Sequence, residues 1–328
     1  MLTALRETLA ERIDRPIPTF RSPVRATSVV GLVLLGAAVY TLLPQLSSLR
    51  AVLDSLGRAS WPWLVVTALT GFLAVPLSAL SVMGSSPTPL PFWRTTAVQL
   101  AACFTGRTTP GGVGFFGINI AFIERLGVRR SSAVGVVLLN LAAAGVVGGV
   151  LAVVGVFAVG ASGLLTGLRI PHSQPVLLAA AAVVAASVAV LASPFGRRRF
   201  VRPGLEVTRE LLGALRHPVR ALLLLGGTVG TLVASGLGLA TSLAAFGAQV
   251  PVVAVVTVFL IGQVLGHIAP IPGGLGPVEA LMVAGLTALS TEPTVAVAAV
   301  LAARLLTYWL PVLPGIAMFR YLQHHDYI

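Results

Sequence analysis

A short glycine-rich pattern occurs twice and limits what the chain can become. It reads Pro110-Gly111-Gly112-Val113-Gly114 and then Pro272-Gly273-Gly274-Leu275-Gly276, with 162 residues (272 − 110) between copies in a chain of 328. Each copy interrupts one apolar segment and is followed by another. Proline stops the helix before it. Glycine at this density lets the backbone turn sharply and lets other groups come close. Each copy is therefore read as the tip of a re-entrant hairpin, with a half-helix in, a turn, and a half-helix out.

The surroundings are those of a bilayer. Hydrophobic residues make up 56% of the chain and charged residues only 10%, where a soluble domain carries about 25% charged residues. All 22 basic residues are arginine. The absence of lysine excludes a P-loop nucleotide site and Schiff-base chemistry. The net charge of +12 sits beside apolar spans, which fits membrane orientation and anionic headgroups better than nucleic acid. Cys103 is the only cysteine, so no intrachain disulfide forms, and it is expected to be a small packed side chain. The five histidines show no metal-ligand spacing. No metal and no cofactor are expected.

Residues 1–27 read as a cytoplasmic N-terminal segment. Leu2, Leu5, Leu9 and Ile13 share one face of an interfacial helix or belong to a frayed polar terminus. No cleavable signal peptide is expected, because the first long apolar stretch follows five arginines and outruns an h-region. A membrane-crossing helix takes about 20 apolar residues. Full spans are expected near 28–47, 61–83, 131–161, 174–193, 220–246 and 294–320, with hairpins at 92–127 and 252–291. Gly145/Gly149 and Gly226/Gly230 form G-x-x-x-G pairs, which permit close helix approach. The arginine-rich stretch 194–219 marks a cytoplasmic loop. The flanks of the first hairpin are basic and those of the second carry no arginine, so they enter from opposite sides. The expected fold is all-α, a polytopic membrane protein of about six full spans plus two re-entrant helical hairpins in an inverted-topology repeat. The transmembrane domain would cover 28–320, with repeat halves at about 61–161 and 220–320. The tail 321–328 would be cytoplasmic, and the protein would lie in the cell membrane with both termini inside.

Ionisable residues within spans are costly and become functional candidates by default. Arg304 lies near the middle of its span with Tyr308 one turn on, facing either a bound anion or an ion-pair partner, Glu279. Arg107 precedes the first tip and either joins the same cavity or snorkels to the interface. Glu279 sits in the first turn of a helix starting at Pro277, where the helix N-terminus favours a carboxylate. It otherwise orients Arg304 or carries a proton. His267 is either a packing residue or a proton relay. Asn119 and Asn140 are lesser candidates. Backbone N–H groups at Gly111, Gly112, Gly114, Gly273, Gly274 and Gly276 are disposed to meet an anion. With Arg107, Glu279, Arg304 and Tyr308 they make a candidate phosphate site. In a bilayer the phosphate at hand belongs to a lipid.

The run Pro270-Ile271-Pro272-Gly273-Gly274-Leu275-Gly276-Pro277-Val278-Glu279-Ala280 is followed by Arg304-Leu305-Leu306-Thr307-Tyr308-Trp309-Leu310-Pro311 and Gly315. Together with Pro110–Gly114 they resemble the lysylphosphatidylglycerol synthase transmembrane-region family of flippase-like membrane proteins, over about 28–320. The resemblance implies handling of an anionic phospholipid or a polyprenyl-phosphate-linked lipid. No stretch reads as a soluble aminoacyl-transferase or glycosyltransferase domain, so a lipid flippase or transporter, and not an enzyme, is expected. The alternative is a non-catalytic membrane partner of a lipid-modifying synthase or glycosyltransferase. A third reading, an intramembrane enzyme acting on lipid phosphate, finds no paired carboxylates or nucleophile–base spacing.

Overall fold

Proline marks where several helices begin, because its missing N–H costs nothing in the first turn. The computed structural model describes residues 57, 59–109, 112–161, 216–266 and 277–328, with 161, 265, 266 and 277 as backbone only. Among the described residues there are eight helices and no strand. They are α1 Trp61–Ser85, α2 Phe92–Thr108, α3 Val113–Arg125 and α4 Arg130–Ala161. After the basic stretch come α5 Pro218–Ala245, α6 Val252–Gly266, α7 Pro277–Ala288 and α8 Pro293–His324. Helices α1, α4, α5 and α8 are each long and apolar enough to cross a membrane. The expected spans at 28–47 and 174–193 and the N-terminal segment lie outside the described residues, as do 194–215 of the basic loop.

The order long, short, short, long occurs twice. The lengths are 25, 17, 13 and 32 residues, then 28, 15, 12 and 32. The leading helices of the two sets, α1 and α5, pack along their length in opposite directions. Ser60 N–H donates to the Ala245 carbonyl (2.8 Å), while at the other end Arg220 reaches the Ser85 carbonyl (3.4 Å). Between them lie the Thr67–Thr241 (2.9 Å) and Ser81–Thr228 (2.7 Å) hydroxyl pairs. Lipid cannot answer these groups, so they bind helix to helix. A Cβ on Gly84 or Gly227 would run into the facing backbone, so these two glycines set the close approach.

Each short pair is a hairpin. In the first, Gln99 Nε2 donates to Asn119 Oδ1 (2.6 Å) and Thr105 Oγ1 to the Gly114 carbonyl (3.1 Å). In the second, Gly262 faces Met282 and Gly285 faces Val258. The first hairpin packs on the far end of α8, with Gly315 against the Leu100 carbonyl and Phe104 edge-on to Phe319 at 5.7 Å. The second packs on the far end of α4, where Thr257 meets Gly155 and Val264 meets Gly148. Two apolar cores follow. Val98, Ile118, Phe122, Val136 and Leu322 surround the first hairpin, and Leu243, Phe259, Met282, Leu286 and Val300 surround the second.

Of the four G-x-x-x-G glycines, one has a described neighbour within reach of a side chain. Among the described residues, a Cβ built on Gly145, Gly149 or Gly226 meets nothing within 4 Å, and one on Gly230 meets the Leu77 side chain. Ala143, Gly148, Ala152 and Gly155 of α4 are buried, with Gly148 facing Leu232 and Val264 and Gly155 facing Thr257.

Charge is segregated along the bundle. Arg94, Arg125, Arg129, Arg130, Arg216, Arg220 and Arg320 lie at the end that carries Ser85, the open mouth of the first hairpin and the end of α8. The C-terminal residues close on this end, with Arg125 3.8 Å from Asp326 and the Arg94 guanidinium 4.7 Å over the Tyr327 ring. At the opposite end the described residues carry no arginine. Trp61 and Trp63 there, and Trp93 at the basic end, are exposed, as ring anchors at the two headgroup levels are.

Helix α8 changes winding at Arg304–Trp309, a π-helical turn closed by Leu310 N–H to the Leu305 carbonyl (2.8 Å). Two glycines accommodate it. A Cβ on Gly71 would lie 2.6 Å from Thr307 Cα, and one on Gly238 would lie 2.7 Å from Thr307 Cγ2. Gly71→Ala is expected to cost about 1–3 kcal/mol through overpacking, whereas Gly145→Ala stays within about 0.5 kcal/mol. Denaturant unfolding of both variants in the same detergent measures the difference; equal stability would contradict the packing.

Candidate functional site

Arg304 is the twelfth residue of α8, about 17 Å along the axis at 1.5 Å per residue. That depth is near the middle of a hydrocarbon layer about 30 Å thick. Its Nε lies 2.8 Å from Glu279 Oε1, and the two side chains are only 12% and 9% exposed. The N–H vector points off the N···O line, so the contact acts mainly as an ion pair. Glu279 is delivered by α7, which starts at Pro277 and places the carboxylate in its first turn, where the N-terminal end of the helix dipole also favours it.

The first hairpin supplies the second cation. Arg107, in the last turn of α2, sets its guanidinium carbon 4.0 Å from the centre of the Tyr308 ring. The Arg304 guanidinium carbon is 5.0 Å from the same centre. One aromatic ring thus serves two cations, an attraction that strengthens when water is excluded. Among the described residues, Nη1 of Arg107 and Nη2 of Arg304 are buried without a hydrogen-bond partner. The Arg107 head is turned toward Tyr308, which is not the snorkelling geometry.

The expected site residues separate into three groups. Arg107, Glu279, Arg304 and Tyr308 come together from α2, α7 and α8. Gly112 and Gly114 form the described part of the first tip. Gly112 starts α3 with φ of 69°, a left-handed conformation suited to glycine. Its N–H goes to the Thr109 carbonyl (3.1 Å), and the Gly114 N–H goes to Thr109 Oγ1 (2.7 Å). These two amides are satisfied within the turn, which departs from the expectation that they face an anion. Gly111, His267, Gly273, Gly274 and Gly276 lie outside the described residues.

Asn119 and Asn140 join helices. Asn119 accepts from Gln99 and donates to the Phe115 carbonyl (2.8 Å), and Asn140 donates to Ser81 Oγ (2.6 Å). The π-helical turn escaped sequence reasoning, although Pro311 and Pro314 mark a stretch of α8 that lacks two N–H donors. Gly71 and Gly238, which make room for it, gave no signal, because nothing in an apolar helix marks which glycine meets a neighbouring helix.

A cluster of this kind has the chemistry to receive an anion. Guanidinium groups present a planar fork that matches phosphate or carboxylate oxygens. Within an apolar setting each unmet donor carries a desolvation cost until an acceptor arrives.

Known proteins place the chain in the same setting. A stretch of 77 residues is 31% identical to the UPF0104 membrane protein of Methanothermobacter thermautotrophicus, covering 24% of this chain and 23% of that relative. The chain thus spans under a quarter of the relative's length in that match. The model of the lysylphosphatidylglycerol synthase TM region matches residues 28–315. With an all-helical architecture and four helices able to cross a bilayer, the chain is an integral membrane protein that belongs to the lysylphosphatidylglycerol synthase TM-region family.

Proposed function

We propose that the protein moves an anionic lipid across the membrane, binding its phosphate at Arg107 and Arg304 beside Tyr308. The observation that carries this reading is the convergence of two buried guanidiniums from different hairpin and span elements on one ring, with a single carboxylate against them. Burying an ion costs several kcal/mol even after relaxation. Such a cost is tolerated where the charge meets a ligand. In a bilayer the abundant phosphate is the lipid headgroup.

The antiparallel packing of α1 on α5 and the crosswise packing of each hairpin support an inverted-topology repeat, with halves at about 61–161 and 220–320. The first hairpin, on this reading, enters from the basic face, taken as cytoplasmic by the positive-inside rule, and the second enters from the opposite face. On this reading the site lies halfway, reachable in turn from either leaflet as one half rocks against the other. The C-terminal tail is cytoplasmic. The chain acts as a carrier and forms no covalent intermediate.

Arg304→Ala removes the ion pair with Glu279 and is expected to lower the melting temperature. In protein that still melts cooperatively, it is expected to abolish movement of fluorescent phosphatidylglycerol in proteoliposomes, read as loss of dithionite-accessible signal. Arg304→Lys keeps the charge and loses the fork, so its rate falls by roughly tenfold or more. A folded Arg304→Ala protein working at full rate removes the proposed role. Wild-type protein that moves no lipid alone but co-purifies with a synthase or glycosyltransferase points to the partner-subunit reading.

Cys103 offers a second check. It stands one helical turn before Arg107 on α2 and is partly exposed. If the site is wet, a charged methanethiosulfonate reagent labels this only cysteine in vesicles of phosphatidylcholine. Adding phosphatidylglycerol slows the labelling. A thiol that reacts only with membrane-soluble reagents means the cluster is dry and closed.

A further inference from the structure

The cluster around Tyr308 holds two permanent cations and one carboxylate. Arginine stays protonated at every physiological pH, and Glu279 faces Arg304 as its ion-pair partner at 2.8 Å. Among the described residues that leaves one positive charge in excess. In a low-dielectric setting, any charge remaining after the ligand binds is penalised. A ligand bearing one negative charge brings the cluster to neutrality. A ligand bearing two or more does not.

The donors agree with the charge. Arg107 offers a buried Nη1 and Arg304 a buried Nη2, each without a partner among the described residues. A phosphodiester has two non-bridging oxygens, one for each. A phosphomonoester or a diphosphate has additional charged oxygens, which would stand near the Glu279 carboxylate. We infer that Glu279 is the charge-selecting residue of the site, admitting lipids with a single phosphodiester charge and rejecting phosphomonoester and diphosphate lipids. This rests on the lipid-binding reading above and narrows its substrate class from any lipid phosphate to the diester.

The test compares two lipids that share acyl chains and small headgroups: phosphatidylmethanol, a diester with one charge, and phosphatidate, a monoester. The full chain is placed in phosphatidylcholine nanodiscs at pH 8. There phosphatidate approaches two charges. Binding of each lipid is measured by competition against a fluorescent phosphatidylglycerol. The wild type prefers phosphatidylmethanol by about tenfold or more, as one uncompensated charge in a partly buried site demands. Glu279→Gln raises the excess to two charges, and the preference disappears or reverses. Glu279→Asp keeps the charge and keeps the preference, which a merely structural role for the side chain does not require.

Equal affinity of the wild type for both lipids overturns the selectivity while leaving lipid binding intact. A Glu279→Gln protein that keeps the wild-type preference overturns it as well. Should that variant fail to fold, the wild-type ratio alone still decides. Binding of neither lipid by the wild type removes the lipid reading itself, an outcome separate from the other two.

Discussion

A guanidinium halfway along an apolar helix has to be answered from within the protein, because lipid offers it nothing. The geometry around Arg304 is that answer. Helix α7 begins where it can present Glu279 to the Nε edge. Helix α8 widens into a π turn over Arg304–Trp309, which places Tyr308 between Arg304 and Arg107. Helices α1 and α5 make room for that turn with Gly71 and Gly238. Every described element of the site is thus tied to a neighbour that would have to move with it. The π turn itself, a rare winding often found where helices do specific work, forms where Pro311 and Pro314 remove donors from the ordinary ladder.

Much of the architecture was legible because the bilayer simplifies the code. Apolar length gave the spans at 61–85, 130–161, 218–245 and 293–324 within a few residues at each end. The two proline–glycine interruptions fall between α2 and α3 and between α6 and α7. The Arg304–Glu279 pair could be named from depth alone, since two lone ionisable residues in neighbouring apolar segments have few other partners. The G-x-x-x-G spacing did not say which glycines a described neighbour meets: Gly148 and Gly155 of α4 face Val264 and Thr257. The role of the first-tip amides failed for a local reason: Thr109 sits two residues before the tip glycines and uses the Gly114 N–H with its own hydroxyl.

The polar side chains outside the site show the same constraint at lower stakes. Ser78, Gln99 and Asn119 form one chain of hydrogen bonds, and Asn140, Ser81 and Thr228 form another. Each chain joins elements distant in sequence, and each is neutral. Neutral groups satisfied in pairs hold helices together in lipid. The charged cluster differs because its donors outnumber the acceptors the described residues provide. That difference separates a structural network from a candidate binding site more reliably than burial does, since both are buried.

Repetition of the scaffold without repetition of its charges follows from the same energetics. Applying the 162-residue offset puts Ala142 against Arg304, Gly117 against Glu279 and Ala269 against Arg107. A symmetric set of charges would bury four guanidiniums around one midplane, and no bound monoanion offsets that many. A repeated fold can therefore present similar helices to both leaflets while keeping one asymmetric cluster between them. On the proposed reading, the two halves would supply the two approaches, and the arginine–glutamate set, drawn unequally from both, the place where a headgroup would stop.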